Sequence, residues 1–361
     1  MTILIFVIVL AVLILVHEFG HFISAKKSGI RVDEFGIGFP PRLLTLFNWQ
    51  GTKFSLNALP FGGFVKIFGE NPLETPTSEE EKQKHFSHKP KIVQAWVLSA
   101  GVVFNILFAW ILISLGFMHG LPTPIDHSDN VSDARLVITS ILPNSPAQEA
   151  DLKVGDTVSG VSFSGEELLE ISPESFSDFL SDKDGVVVLK ISRGQEILEK
   201  EIEPAVGILE DRRAIGISMG MIGTLRLPVH LAFWEGGKTT LNLLGAIVVG
   251  LFSFLSQAIV GQADLSQVAG PVGIVGLVGD ATSLGFIYLL QFTAFISLNL
   301  AVINLLPFPA LDGGRLLFLA IEAITRRSIN PKVAGALNAI GFLLLILLMV
   351  VITISDISRF F

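Results

Sequence analysis

The segment His17-Glu18-Phe19-Gly20-His21 lies inside an apolar stretch, residues 2–25, that is long enough to cross a membrane. About 20 helical residues, each rising about 1.5 Å, cover the hydrocarbon core of a bilayer. Residues four apart share one face of a helix, so His17 and His21 can bind one metal ion with Glu18 beside them. Ionisable groups are costly in hydrocarbon and are usually functional there. The motif therefore predicts a zinc hydrolase site within a membrane helix.

Composition supports a polytopic membrane protein, because 50% of the 361 residues are hydrophobic and only 16% are charged. A removable signal peptide fits the first segment poorly, since no basic residue precedes it and the apolar run is too long. The chain has no cysteine, which excludes disulfides and thiolate ligands and leaves His, Asp and Glu to bind a metal. The charge pattern does not indicate a nucleic-acid partner.

A β-hairpin is predicted after the first span. Residues 53–57 and 64–68 have strand character and flank the turn sequence Pro60-Phe61-Gly62-Gly63. Phe39, Phe61, Phe64 and Phe68 belong to this region. The hairpin either dips into the membrane interface or is an ordinary soluble hairpin, and we adopt the membrane-associated form as the expectation.

The second predicted span carries Gly101 and Asn105, whose spacing places a small and a polar residue on one face for close helix contact. Asn105 points either at the metal motif or at a neighbouring helix, and we favour the neighbouring helix.

A polar, acidic stretch from His119 to about Trp234 contains strand-like runs at 136–141, 157–161 and 186–192. Between the first two, residues 142–156 have a turn, short helix, turn pattern. This pattern resembles the bacterial PDZ domain, with Asp151 where that family usually has a glycine at positive φ, a conformation that Asp tolerates better than most residues. A small β-rich domain of no fixed role is the alternative.

Basic residues cluster between 26 and 91 and between 315 and 332. The positive-inside rule places both clusters in the cytoplasm and the acidic stretch outside. If the apolar stretch 239–260 crossed the membrane, the second basic cluster would lie outside, so we expect that stretch to be interfacial or re-entrant.

The expected fold is thus a polytopic α-helical membrane protein with about four transmembrane helices, a PDZ-like domain between the second and third, and a membrane-associated hairpin after the first. In chain order the predicted segments are the first span (1–25), the cytoplasmic hairpin and linker (26–91), the second span (92–118), the external region (119–235) with a PDZ-like core (about 134–204), the interfacial or re-entrant segment (236–283), the third span (284–306), a loop (307–332) and the fourth span (333–355).

A catalytic zinc usually has three protein ligands and a water, so two histidines leave one ligand to be found. Asp312 follows the third predicted span, on the same membrane face as His21. Prolines before it free the backbone from helical pairing, and Gly313 and Gly314 allow a tight turn that aims the carboxylate inward. His85 and His88 are rival ligands in a solvated linker.

These motifs together resemble the site-2 protease family of intramembrane zinc metalloproteases, most closely its bacterial RseP-type members. The family's order is matched along essentially the whole chain by HEFGH, the PDZ-like segment, Gly270-Pro271-Val272-Gly273 and the segment from Asn304 to Gly314. The resemblance implies that His17, His21 and Asp312 are the zinc ligands, that Glu18 is the general base, and that Asn304 assists at the substrate strand or the oxyanion. Two departures are a single PDZ domain, where some relatives carry two, and Gly101-Val102, where Gly-Pro is common.

The resemblance further implies cleavage of peptide bonds within transmembrane segments, of the anti-sigma factor or signal-peptide remnant type, in the bacterial inner (cytoplasmic) membrane. The partners would be transmembrane substrates and the lipid bilayer, with the external PDZ-like domain contacting substrate or acting as a size filter. A substrate helix would unwind and pair as a strand with an edge of the 53–68 hairpin. A non-catalytic PDZ scaffold is disfavoured by the intact HExxH motif, and a metal transporter by the nearly apolar last span.

Overall fold

The computed structural model describes residues 1–70, 76–124, 131–168, 171–194, 196–209, 212–262 and 268–358. The chain forms two compact units. The first consists of Met1–Ile113, Phe233–Asp280 and Leu290–Phe361, and the second of Ser114–Ala232 and Ala281–Leu289.

Helices account for most of the first unit, and strands are the main regular structure of the second. The helices are α1 (Thr2–Lys27), α2 (Glu79–Lys84), α3 (Lys91–His119), α4 (Pro146–Glu149), α5 (Pro173–Ser181), α6 (Val229–Ile259), α7 (Pro271–Leu284), α8 (Phe286–Leu305), α9 (Asp312–Thr325) and α10 (Pro331–Ser358). The strands are β1 (Val32–Trp49), β2 (Thr52–Ile67), β3 (Leu121–Pro124), β4 (Val131–Ile141), β5 (Thr157–Phe163), β6 (Glu166–Glu167), β7 (Val187–Arg193), β8 (Glu196–Ile202), β9 (Ala205–Leu209), β10 (Arg212–Ala214) and β11 (Ile217–Leu225).

In the described part of the chain, five helices are long and apolar enough to cross a membrane: α1, α3, α6, α8 and α10. Together with the β-rich second unit, they make this a multi-pass membrane protein with an inserted β domain. The segment predicted as interfacial or re-entrant, 236–283, overlaps the continuous 31-residue helix α6, which begins earlier, at Val229, and the shorter helix α7.

The prediction of a loop over 307–332 is wrong for residues 312–325, which form α9. This stretch is amphipathic, and its apolar face is buried: Leu319 joins a cluster with Phe22 and Ala25 of α1. Burial of one apolar face stabilises a short helix that its propensity alone would not.

The hairpin differs from its prediction. Residues 53–57 and 64–67 both belong to β2, which ends before Phe68, and they pair with β1 instead of with each other. Phe35 of β1 has partners in both halves of β2, Phe54 and Val65, so the first part of β1 lies between them. The connecting turn is at Gln50 and Gly51, which have φ of 46° and 77°. The side chains of Pro60 and Phe61 lie outside the described part.

The second unit is built on one sheet with the strand order β3-β11-β4-β5-β7-β8, and β6 pairs with β5. Its core includes Ile138, Phe176 and Leu189, all nearly inaccessible to solvent. Asp151 has φ of 54°, in the left-handed region that its position requires. The sheet extends beyond the predicted core of 134–204, because β11 pairs with both β4 and β3.

Helix α7 lies close to the ends of two other helices in the first unit. The backbone N–H of Gly273 donates to Asp356 Oδ2 at 2.8 Å, near the end of α10. A Cβ on Gly279 would lie 3.0 Å from Thr2 Cγ2, at the start of α1.

The start of α6 lies beside α3, where Trp110 Nε1 donates to Phe233 O at 2.8 Å.

Candidate metal centre

Three side chains distant in sequence meet inside the first unit. His17 Nε2 lies 2.9 Å from Asp312 Oδ2, His21 Nε2 lies 3.2 Å from the same oxygen, and the two Nε2 atoms are 3.3 Å apart. Both histidines are buried and Asp312 is half-buried. Within the described ranges, this is the one group of three or more His, Cys, Asp or Glu residues close enough to share a metal ion.

The donor set and its spacing fit zinc. Two imidazole nitrogens and one carboxylate oxygen are ligands that zinc accepts in catalytic sites. Tetrahedral bonds of about 2.0–2.2 Å place ligand atoms about 3.3–3.6 Å apart. The observed separations of 2.9–3.3 Å approach this triangle, so a small outward shift of the three atoms would admit the ion.

Asp312 is the first residue of α9 and is aimed by the backbone that precedes it. The prediction that Gly313 and Gly314 form a tight turn is wrong, because both lie in the helix. They are needed for close approach: a Cβ on Gly313 would lie 2.2 Å from Leu306 O, and one on Gly314 would lie 2.2 Å from Phe308 O. The positive φ of 76° is instead at Ala310.

Helix α3 forms the wall against which both histidines pack. His21 Nδ1 lies 2.8 Å from Val97 O, and Asn105 Nδ2 lies 3.3 Å from His17 Nδ1. Between them, a Cβ on Gly101 would lie 2.5 Å from His21 Nε2. The expectation that Asn105 points at a neighbouring helix is therefore wrong for its side chain; its backbone oxygen does accept from Ser297 Oγ of α8.

Glu18 lies between the histidine pair and the second half of β2. It is half-buried. A Cβ on Gly63 would lie 3.7 Å from Glu18 Cγ. The second half of β2 therefore lies close to the carboxylate that follows His17.

The remaining candidates lie outside the three-residue cluster. Asn304 is half-buried in the last turn of α8. His85 is buried against Phe68, with ring centres 4.9 Å apart, and His88 stacks edge-on against His85. Neither rival histidine belongs to the metal group found in the described ranges.

Sequence reasoning missed the ion pair of Arg315 with Glu70, which joins α9 to the chain just after β2. It also missed the Val97 carbonyl as a partner of His21. The position of Arg315, directly after the Asp-Gly-Gly segment, could have identified it as a residue near the site. Nothing in the sequence identifies Glu70 or a backbone carbonyl in this way.

Comparison with known proteins assigns the chain to a family. The family model described as peptidase family M50 matches residues 5–348. The chain belongs to peptidase family M50. At the level of the family, this confirms the predicted resemblance to the site-2 proteases, the metalloprotease activity and the zinc cofactor, and it gives no support to a scaffold or a transporter.

Individual relatives match over nearly their whole length. A Clostridium perfringens protein, named as a candidate zinc metalloprotease, is 37% identical over 96% of this chain and 95% of its own. The regulator of sigma-W protease RasP of Bacillus subtilis is 29% identical over 100% of this chain and 99% of its own. The zinc metalloprotease RasP of Oceanobacillus iheyensis is 28% identical with the same coverage.

Proposed function

We propose that His17, His21 and Asp312 hold the zinc ion of this M50 peptidase and that Glu18 is its general base. The observation that carries this assignment is the close approach of the three donor atoms. When bound, zinc supplies Lewis-acid activation of water and of a substrate carbonyl. Glu18 accepts the proton of the attacking water and then donates it to the leaving amine.

The substrates we infer are transmembrane segments of other membrane proteins, because the metal motif lies within an apolar helix of spanning length. A helix must unwind before its carbonyls can react. The second half of β2, which lies beside Glu18, offers backbone groups with which an unwound segment can pair as an added strand. Asn304, eight residues before Asp312, is assigned to the substrate strand or the oxyanion. Anti-sigma factors and signal-peptide remnants are the proposed substrate types.

The hairpin is proposed to enter the membrane interface. The second part of β1 exposes a run of apolar side chains that water would solvate poorly: Leu43, Leu44, Leu46, Phe47 and Trp49. Tryptophan is favoured at the level of lipid headgroups, so this surface fits a lipid boundary.

Four spans, α1, α3, α8 and α10, are proposed, with α6 interfacial or re-entrant. Asp312 must lie at the depth of His21, which places the start of α8 and both termini at the outer face. The closeness of α7 to Thr2 and Asp356, near the two termini, supports an outer position for α7 as well. If α6 crossed, the ten residues from 260 to 269 would have to return across the membrane at nearly full extension, about 35 Å. Such unpaired backbone is costly in hydrocarbon.

Single-cysteine labelling tests this topology, because the natural chain has no cysteine. Gln262→Cys, after α6, should react with a membrane-impermeant thiol reagent in intact cells. Ser328→Cys, between α9 and α10, should react only once the membrane is opened. The reverse pattern would mean that α6 crosses and would remove the proposed topology.

We place the protein in the bacterial cytoplasmic membrane, with the β-rich domain outside as a PDZ-like domain. We propose that this domain acts as a size filter for substrates. It can be removed between 121 and 225, since Leu227 N donates to Phe117 O at 2.9 Å and the cut ends are neighbours. This variant should keep zinc, cleave short trimmed substrates and accept substrates with bulky outer domains. Loss of cleavage of short substrates, with zinc retained, would show recruitment instead.

Zinc content and cleavage, measured on one purified sample, test the assignment of the site. Wild-type protein should carry about one zinc per chain and cut a single-span reporter. His17→Ala should lose both. Wild-type zinc content in His17→Ala would place the metal elsewhere.

A further inference from the structure

The proposed mechanism gives no role to Asn105, a polar side chain next to the metal centre. Its residue is fully buried, with 0% of its surface exposed. Its Oδ1 is the one buried side-chain oxygen or nitrogen in the described ranges without a hydrogen-bond partner. A buried amide oxygen that makes no hydrogen bond is unfavourable. The amide orientation that leaves Oδ1 without a donor is therefore disfavoured.

The Asn105 amide fills the same space in two orientations, which exchange Nδ2 and Oδ1. With Nδ2 facing His17, Nδ1 of the imidazole accepts the hydrogen bond and the proton of the neutral ring is on Nε2. That Nε2 is the atom 2.9 Å from Asp312, and a protonated nitrogen cannot bind a metal ion. With Oδ1 facing His17, Nδ1–H donates to it and Nε2 keeps its lone pair. Only this orientation both satisfies the buried oxygen and leaves Nε2 free.

His21 has a fixed partner of the same kind. Its Nδ1 lies 2.8 Å from Val97 O, and because a carbonyl can only accept, Nδ1 carries the proton and Nε2 is free. Val97, Gly101 and Asn105 are four residues apart and so share one face of α3. That face presents a carbonyl to His21, a gap at Gly101 and an amide to His17.

We propose that Asn105 is a positioning residue that holds the proton of His17 on Nδ1 through its Oδ1, and so keeps Nε2 available to zinc. The inference rests on the proposed metal centre. Ser297 Oγ of α8 donates to the backbone oxygen of Asn105 at 2.8 Å, so this contact does not occupy the amide side chain. Hydrogen-bond partners of this kind set the tautomer and orientation of a ligating histidine.

Zinc affinity of the full-length protein, measured by competition with a chelator, tests the proposal. Asn105→Leu removes both amide atoms and should weaken zinc binding about ten- to hundredfold. Asn105→Asp keeps an oxygen acceptor and should retain most of the affinity. Ser297→Ala is the matched control, because it contacts the backbone of the same residue without touching the imidazole, and it should leave the affinity unchanged.

Three results separate the possible errors. Wild-type affinity in a folded Asn105→Leu would overturn the proposal, as would equal losses in the Leu and Asp variants, which would show that Asn105 acts by packing. Wild-type affinity in His17→Ala would instead remove the metal centre itself. If Asn105→Leu does not fold, ¹⁵N-histidine NMR of the zinc-free wild type decides: a proton on His17 Nδ1 supports the role, and one on Nε2 overturns it.

Discussion

Gly101→Ala tests whether the space between α3 and the two histidines is needed for metal binding. The added methyl would lie 2.5 Å from His21 Nε2, 2.6 Å from His17 Cε1 and 2.7 Å from His17 Nε2. These distances are well inside van der Waals contact. In the metal-free protein the imidazoles can turn away from the methyl, but in the loaded protein the metal holds them in place. The strain therefore appears as weaker zinc binding.

The magnitude follows from the cost of overpacking, about 1–3 kcal/mol. Since about 1.4 kcal/mol is tenfold in a binding constant, zinc affinity should fall roughly five- to 150-fold. Alanine is favoured over glycine in a helix by about 1 kcal/mol, but that gain applies equally with and without metal and cancels in the affinity.

Chelator competition on the purified protein measures the effect. Gly245→Ala is the matched control, because it also replaces a helical glycine and its Cβ would have no atom within 4 Å. We expect wild-type zinc affinity in the control. Wild-type affinity in Gly101→Ala would refute the placement of the histidines against α3.

Three further substitutions probe the centre and the β domain. Asp312→Asn should lower zinc affinity at least about tenfold in the same competition assay, since an amide is a poorer ligand than a carboxylate; unchanged affinity would point to another third ligand. Gly313→Ala should also weaken zinc binding, because its Cβ would lie 2.2 Å from the Leu306 carbonyl oxygen, which cannot rotate away; normal binding would contradict the backbone path into α9. Arg193→Ala should destabilise the β domain by about 3 kcal/mol, seen as faster local hydrogen exchange, because it strands the carboxylate of Asp156, which is 1% exposed. An effect no larger than that of removing an exposed ion pair would show that Asp156 tolerates the loss.

The parts of the site that sequence predicted are those fixed by local spacing. HExxH sets two imidazoles one turn apart on a helix, and the length of the apolar run places them in the membrane. The location of Asp312 followed from the order of spans and basic loops, since these decide which ends share a membrane face. The role of Gly313 and Gly314 could not be predicted in this way, because their close approach to the preceding carbonyls depends on how the loop folds.

Tertiary contacts decided the rest. Gly101 and Asn105 were identifiable as one helix face, but the sequence does not say which neighbour that face meets. Strand β1 was missed because it contains Pro40-Pro41 and two glycines, which disfavour strand structure on local grounds. Its pairing with both halves of β2 overrides that preference. Strand β11 was also missed because long-range pairing stabilises it: its partners β3 and β4 are more than 70 residues away in sequence.

The most direct test of the account is cleavage of a reporter transmembrane helix by wild-type protein and by Glu18→Gln, both reconstituted in lipid vesicles. Zinc is measured on the same samples, and the cut is located by mass spectrometry of the products. We expect the wild type to cut within the membrane segment. Glu18→Gln should retain zinc and make no cut, because it loses the base and keeps the ligands. Cleavage by Glu18→Gln, or a cut confined to residues outside the membrane segment, would contradict an intramembrane metalloprotease that uses Glu18 as its base.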